Sequence, residues 1–330
     1  MAVIDVLLAL KPSTLTADDL ASREPPLSRQ VEITPGVQLA VVLPPVARAV
    51  YHVCKFRGVE RRDDTAMYGF VRYDPPGGRW DEDNVITRAL FLSHLVQPNE
   101  AGFEFAARIE TDASRHVVKA TPATILPTYA QAYACPGVAR RWLTQTDAEQ
   151  LKALIPLYDD AREYLRDKRL GMAVSLFGDS CFIFHGRPRA ALLAAALEGL
   201  VCISSERALK QFVVRIPALA AEVGLPQFDL AWATRIYKLR SKLAHGVPLF
   251  QTPEEHVRRR QIDELETSMT EMDDLLRQLI RRALFDREFA DTIQNVESRW
   301  PVSKNGCATC RSSDPTLGEV RCPRCNSTWK

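Results

Sequence analysis

The chain has no apolar run long enough to cross a bilayer. Its most apolar stretch, ALLAAALEGLVCI from Ala191, carries Glu198 and falls short of the roughly 20 residues a spanning helix needs. Charge of one sign is also lacking. The formal net charge of the 330 residues is +2, so any nucleic-acid contact has to come from a local patch and not from global attraction. The start, MAVIDVLLALKPST, has no basic leader and no small-residue cleavage pattern, and it contains Asp5. A signal peptide is therefore not expected, and the chain is expected to be cytoplasmic with no membrane partner. There is no internal repeat and no low-complexity tract. The PPGG at Pro75 lacks the Gly-Lys-Ser/Thr ending of a phosphate loop, and no Ser-His-Asp constellation stands out. His52, His94 and His116 have no neighbouring ligand set, and Cys54, Cys135, Cys181 and Cys202 are scattered. That scatter fits reduced thiols better than a disulfide framework.

What is present is an ordinary globular balance, 46% hydrophobic and 25% charged, over a length that suits about two domains with small appendages. The fold class read from the pattern is α+β. Residues 1–145 form a strand-containing domain of unassigned role, with β-leaning runs VQLAVVL, YHVCKF, TAMYGFVRY, FEFAARIE and HVVKA. Turn signals DPPGG and QPNEAG separate some of them. NVITRALFLSHLV fits a strand or a short helix, and RGVERRDD from Arg57 reads as a solvated loop. Residues 146–295 read as an all-α domain. Asp147, three residues before Gln150, marks a helix start, Pro188 suits another, and Pro217 marks a break or kink. A long helix is expected from 254 to about 290. Along it Leu265, Met269, Met272, Leu276, Leu279 and Ala283 share one face as a core stripe. A linker near Trp300 and Pro301 leads to a small module, residues 301–330.

That module contains CATCRSSDPTLGEVRCPRC. Cys307, Cys310, Cys322 and Cys325 form two Cys-x-x-Cys knuckles, the arrangement of a tetrahedral zinc site; the other reading is a redox dithiol pair. Four thiolates leave no open position, so the zinc would be structural, and so small a segment would draw its folding energy from the metal. The segment is similar to a zinc ribbon. Arg311, Arg321, Arg324 and Lys330 make it locally basic, which suits a nucleic-acid contact or a solvated surface equally.

The stretch YKLRSKLAHG from Tyr237 carries the remaining candidates. At about 100° per residue, Ile236, Leu239 and Leu243 make a core stripe, while Tyr237, Arg240, Ser241, Ala244 and His245 gather on the adjoining face. Gly246 is a natural helix stop. A histidine in the last turn beside an arginine suits proton transfer, or it merely complements the helix dipole. Glu198 lies in an apolar helical run where an unpaired charge is costly; its candidate partners are Arg215 and Arg240, unless it only reaches the rim. Glu206 and Arg207 read as surface.

The stretch resembles the Arg-x4-6-His signature of HEPN (higher eukaryotes and prokaryotes nucleotide-binding) domains. The resemblance is strongest to the Apea-like branch, whose Tyr-x-x-Arg-Ser-x-x-x-His-Gly pattern is matched by Tyr237, Arg240, Ser241, His245 and Gly246. ALEGLV, SERALKQFVVRIPAL and the long final helix extend the resemblance over roughly residues 150–290. It implies a homodimer whose two motif helices share a cleft, and a metal-independent endoribonuclease acting on RNA. His245 would be the acid/base and Arg240 the phosphate holder, with Ser241 and Tyr237 in support. Many active members carry Asn, Asp or His directly after the arginine, where this chain has Ser241. The resemblance also implies a role in antiviral or antiphage defence or a toxin-like response, with a protein or phage-derived trigger; the N-terminal domain, outside the resemblance, would either recognise that trigger or restrain the nuclease. The rival expectation is a non-catalytic dimerisation and nucleic-acid-binding scaffold.

Overall fold

Short runs rich in valine and isoleucine pair into one antiparallel sheet. In a computed structural model of the chain, the described residues are 2–8, 29–54, 67–75, 85–99, 106–122, 143–165, 168–183, 185–203, 207–246 and 254–302. Among them the strands are β1 (Ala2–Leu8), β2 (Val31–Thr34), β3 (Val37–Val42), β4 (Met67–Tyr73), β5 (Ala106–Thr111) and β6 (Val117–Pro122). Their order across the sheet is β2-β3-β4-β1-β5-β6. The fold is thus mixed, an N-terminal antiparallel sheet followed by helices. Two compact units divide it: Met1–Asp160 with Cys181–Phe184, and Ala161–Ser180 with His185–Lys330.

In the first unit, the initial apolar run is not among the expected β-leaning runs, yet it forms β1, which is central and paired with both β4 and β5. Asp5 hides its alternation. Val6 faces a core shared with Val42, Val71, Ala107 and Ile109, which is closed by Val46, Ala47 and Val50. Those last three belong to helix α1 (Pro44–Val53). The β-leaning reading of YHVCKF is corrected here, because Tyr51–Val53 end this helix. Pro44 and Pro45 start it without losing hydrogen bonds, and burial of its apolar face outweighs β-propensity. NVITRALFLSHLV resolves as helix α2 (Val85–Val96), packed on β4. Asp5, on the opposite pleat to Val6, is fully buried and pairs with Arg108 directly across β1–β5.

Helix α3 (Gln145–Leu165) starts earlier than the sequence reading placed it. Thr144 is the cap: its backbone N–H and its hydroxyl both meet Asp147 Oδ2, at 2.8 and 2.9 Å. Asp147 is therefore the returning partner of a capping box and not its first residue.

The second unit is helical: α4 (Arg169–Cys181), α5 (Gly186–Val201), α6 (Ala208–Glu222), α7 (Leu230–Ala244), α8 (Glu255–Phe285), α9 (Arg287–Gln294) and α10 (Val296–Arg299). Helix α5 lies at the centre, packed on α6, α7, α8 and α9. Its alanines allow close approach, and Ala190, Leu193, Ala194, Ala196, Leu197 and Leu200 are fully buried. Pro188 falls in its first turn. Pro217 does not break α6, which runs on from Ala208 to Glu222. Packing of Phe212, Ile216 and Leu219, all buried, holds the helix through the lost bond. The expected stripe of α8 is buried throughout. It also buries Asp273 and Arg277, which pair with each other, and Arg189 of α5 lies 3.6 Å from Asp273. The long helix stops at Phe285 and not near 290. Asp286 turns extended and caps α9 by accepting from the Phe289 N–H at 3.1 Å, a role its short carboxylate favours over a helix interior. No helix among the described residues is long and apolar enough to cross a membrane.

Candidate functional site

The motif stretch lies on α7, whose start is set by Asp229 accepting from the Trp232 N–H at 2.9 Å. Ile236 is fully buried, while Leu239 and Leu243 are half-buried. This stripe rotates the next face of the helix towards α5 and α6, on both of which it packs.

From α5, Glu198 reaches Arg240. One carboxylate oxygen, Oε2, accepts from both Nε at 2.8 Å and Nη2 at 2.7 Å. Glu198 is 18% exposed and Arg240 34%, so the pair sits at the surface of the bundle with the acid the deeper partner. The Arg240 guanidinium also lies over the Tyr237 ring, with Cζ 5.9 Å from its centroid, a cation–π contact. Tyr237 in turn packs on Phe212 of α6 at 5.5 Å between centroids. Burial first, and then the Glu198 carboxylate, push the Tyr237 hydroxyl up, against a smaller pull from Arg240. Its O–H is therefore a donor at neutral pH.

Arg215, the other candidate partner of Glu198, is otherwise engaged. It is 1% exposed and donates to the carbonyls of Val201 at 2.6 Å and Trp300 at 3.0 Å and to Gln211 Oε1 at 2.9 Å. Arg169 donates to the Cys202 carbonyl at 2.7 Å. Two guanidinium groups thus close the C-terminal end of α5, where carbonyls lack helical partners and the dipole favours positive charge. Replacing Arg215 by methionine keeps most of the stem but strips both carbonyls of a donor. A loss of about 2 kcal/mol is expected, read as a lowered urea midpoint at unchanged slope.

Cys202 follows α5 and lies between these groups. Its Sγ is 3.4 Å from the Ala208 carbonyl. Burial, with Glu198 adding, pushes the thiol up to about 12 against the pull of Arg215, Arg169 and Arg240. At pH 8 it should resist iodoacetamide in the folded protein and react once urea is added, as mass spectrometry of its peptide would show. The raised value also means that the unfolded chain loses this proton first. Stability from this group is complete below about pH 9 and is lost as pH rises towards about 12. Fast alkylation at pH 8 would overturn the assignment.

The remaining motif residues lie further along α7. Ser241 is half-buried, and its carbonyl accepts from the His245 N–H at 3.1 Å. His245 is the C-cap with an exposed side chain, and Gly246 takes the left-handed conformation, φ +64°, that the helix stop requires. The structure thus joins Tyr237 and Arg240 to Glu198 and leaves His245 open to solvent at the end of the same helix. Cys307, Cys310, Cys322 and Cys325 lie outside the described residues. Among the described residues no group of three or more His, Cys, Asp or Glu is placed to hold a metal ion. Sequence reasoning missed Arg169 and Cys202. Neither carries a local signal, since each acquires its role only where the end of α5 meets its neighbours. No protein-family model, curated protein or solved structure matches the chain.

Proposed function

We propose that the chain is a HEPN-type, metal-independent endoribonuclease that works as a homodimer. The observation that carries this reading is the arrangement on α7. An arginine is clamped by Glu198 and Tyr237, and an exposed histidine stands at the helix end. Cleavage of RNA needs a base for the 2′-hydroxyl, positive charge for the phosphorane and an acid for the leaving oxygen. The 2′-oxygen attacks the adjacent phosphorus, its proton passing to the imidazole of His245. The bond from phosphorus to the 5′-oxygen breaks, and that oxygen takes a proton from the second His245 of the dimer. Arg240 neutralises the phosphate, while Tyr237 and Ser241 support it. The products are a 2′,3′-cyclic phosphate and a 5′-hydroxyl. The four C-terminal cysteines would hold a structural zinc, and the N-terminal unit would recognise a protein or phage-derived trigger or restrain the nuclease, in a defence or toxin-like setting.

The test is cleavage of end-labelled RNA by purified protein in a chelator, with zinc retention checked because chelation can unfold a zinc-dependent segment. Cleavage of DNA, or a requirement for a divalent ion, would overturn the reading. The scaffold reading has its own support. Arg240 is already engaged by a carboxylate, and His245 occupies a cap position that the helix dipole alone rationalises. Absence of cleavage by a folded, zinc-loaded dimer that binds RNA would establish that alternative.

A further inference from the structure

Five N–H groups leave a guanidinium in a fixed fork. In Arg240 the Nε–H and one Nη2–H are both directed to Glu198 Oε2, at 2.8 and 2.7 Å. The guanidinium carbon lies over the Tyr237 ring, 5.9 Å from its centroid. What is left is the far edge, formed by Nη1 and the second Nη2–H. The side chain remains 34% exposed. An arginine that keeps only one edge, with its own rotation stopped by a carboxylate and a ring, has lost its rotamer freedom before any ligand arrives.

We infer that Glu198 is a positioning residue that makes Arg240 a one-edge receptor for a single phosphodiester, gripped by two parallel N–H bonds from Nη1 and Nη2. This rests on the assignment of Arg240 to phosphate in the nuclease reading. It adds the residue that aims the arginine, the edge it uses and the ligand class, a backbone phosphate rather than a base. Bidentate contacts of this kind are among the stronger charge-assisted hydrogen bonds. They carry no sequence information, so the site should bind RNA without base preference.

The sign of the effect separates positioning from simple charge. Removing a carboxylate beside a polyanion ordinarily strengthens binding, because a repulsion disappears. A positioning role predicts the reverse. The probe is a mixed-sequence 2′-O-methyl RNA oligonucleotide, which lacks the attacking hydroxyl and stays intact. Its affinity for the full-length protein is measured by fluorescence anisotropy at fixed salt. Arg240→Ala should weaken binding about tenfold, the size expected for losing hydrogen bonds to a charged group. Glu198→Ala should weaken it to a similar degree, and the double variant should be no worse than Arg240→Ala alone. Glu198→Gln, which keeps the shape, guards against a folding defect, and circular dichroism checks each variant. Glu198→Gln should fall between wild type and Glu198→Ala, since one amide oxygen can still accept. If Arg240→Ala weakens binding while both Glu198 variants bind as well as or better than wild type, the positioning role is wrong and the assignment of Arg240 survives. If Glu198→Ala costs as much in the Arg240→Ala background as alone, its role is structural only. If Arg240→Ala itself binds unchanged, the phosphate assignment fails, and the inference falls with it.

Discussion

Alanine at His245 is expected to lower the rate of RNA cleavage by about 10²–10⁴, the range typical of a lost general acid or base. The imidazole is exposed at the C-cap of α7, so its removal leaves no cavity and no orphaned buried group. The melting temperature should therefore stay close to wild type while activity collapses, which separates chemistry from folding. Arg240→Ala should also abolish cleavage, but with a different signature. It frees Glu198, 18% exposed, as an unpaired carboxylate at the bundle surface, and some stability is lost with it. Cyclic-phosphate ends in the wild-type products would fix the reaction class. Full activity in His245→Ala would remove the acid/base role of His245 and with it the HEPN-type mechanism, whatever Arg240→Ala does.

The second large effect is in the sheet. Asp5 is 0% exposed and meets Arg108 through two bonds, Nε to Oδ1 at 2.7 Å and Nη2 to Oδ2 at 2.9 Å. The hydrogen bond to Asp5 raises the basicity of Arg108 against the opposing effect of burial. Arg108→Ala leaves a buried carboxylate without its partner, and a loss of about 3–5 kcal/mol is expected. That is a large share of the 5–15 kcal/mol that typically holds a domain together. Replacing both members, Asp5→Leu with Arg108→Met, should recover most of the loss, because two apolar groups need no partner. Urea unfolding of the three variants checks this. Arg72 stands opposite Asp5 on β4. If it can take over from Arg108, the single variant will cost less than about 1 kcal/mol and the pair is dispensable.

The candidate site was half legible in the sequence. Tyr237, Arg240, Ser241 and His245 could be placed on one helix face by counting, because helical periodicity is a local property of the chain. The α8 stripe was legible for the same reason. Glu198 was legible only as a problem, a charge within an apolar run, with Arg215 and Arg240 equally open to it. Helix ends were the poorest part. Asp147 has the spacing of a first cap, yet Thr144 fills that place, and nothing local marks Asp286 as a stop. A short polar side chain offers a cap at many positions, and the one used depends on where the packed face ends.

By itself the sequence determined the coarse order: a strand-containing N-terminal part followed by amphipathic helices, a glycine-stopped motif helix, and a paired cysteine tail. Each follows from periodicity and local backbone chemistry. Only the tertiary structure decided that Asp5 is buried in a central strand against Arg108, that Arg215 closes the end of α5, and that Glu198 therefore goes to Arg240. Periodicity names the face a side chain occupies. It does not name the partner on another element, because pairing between distant segments is settled by which buried charges and carbonyls can all be satisfied at once.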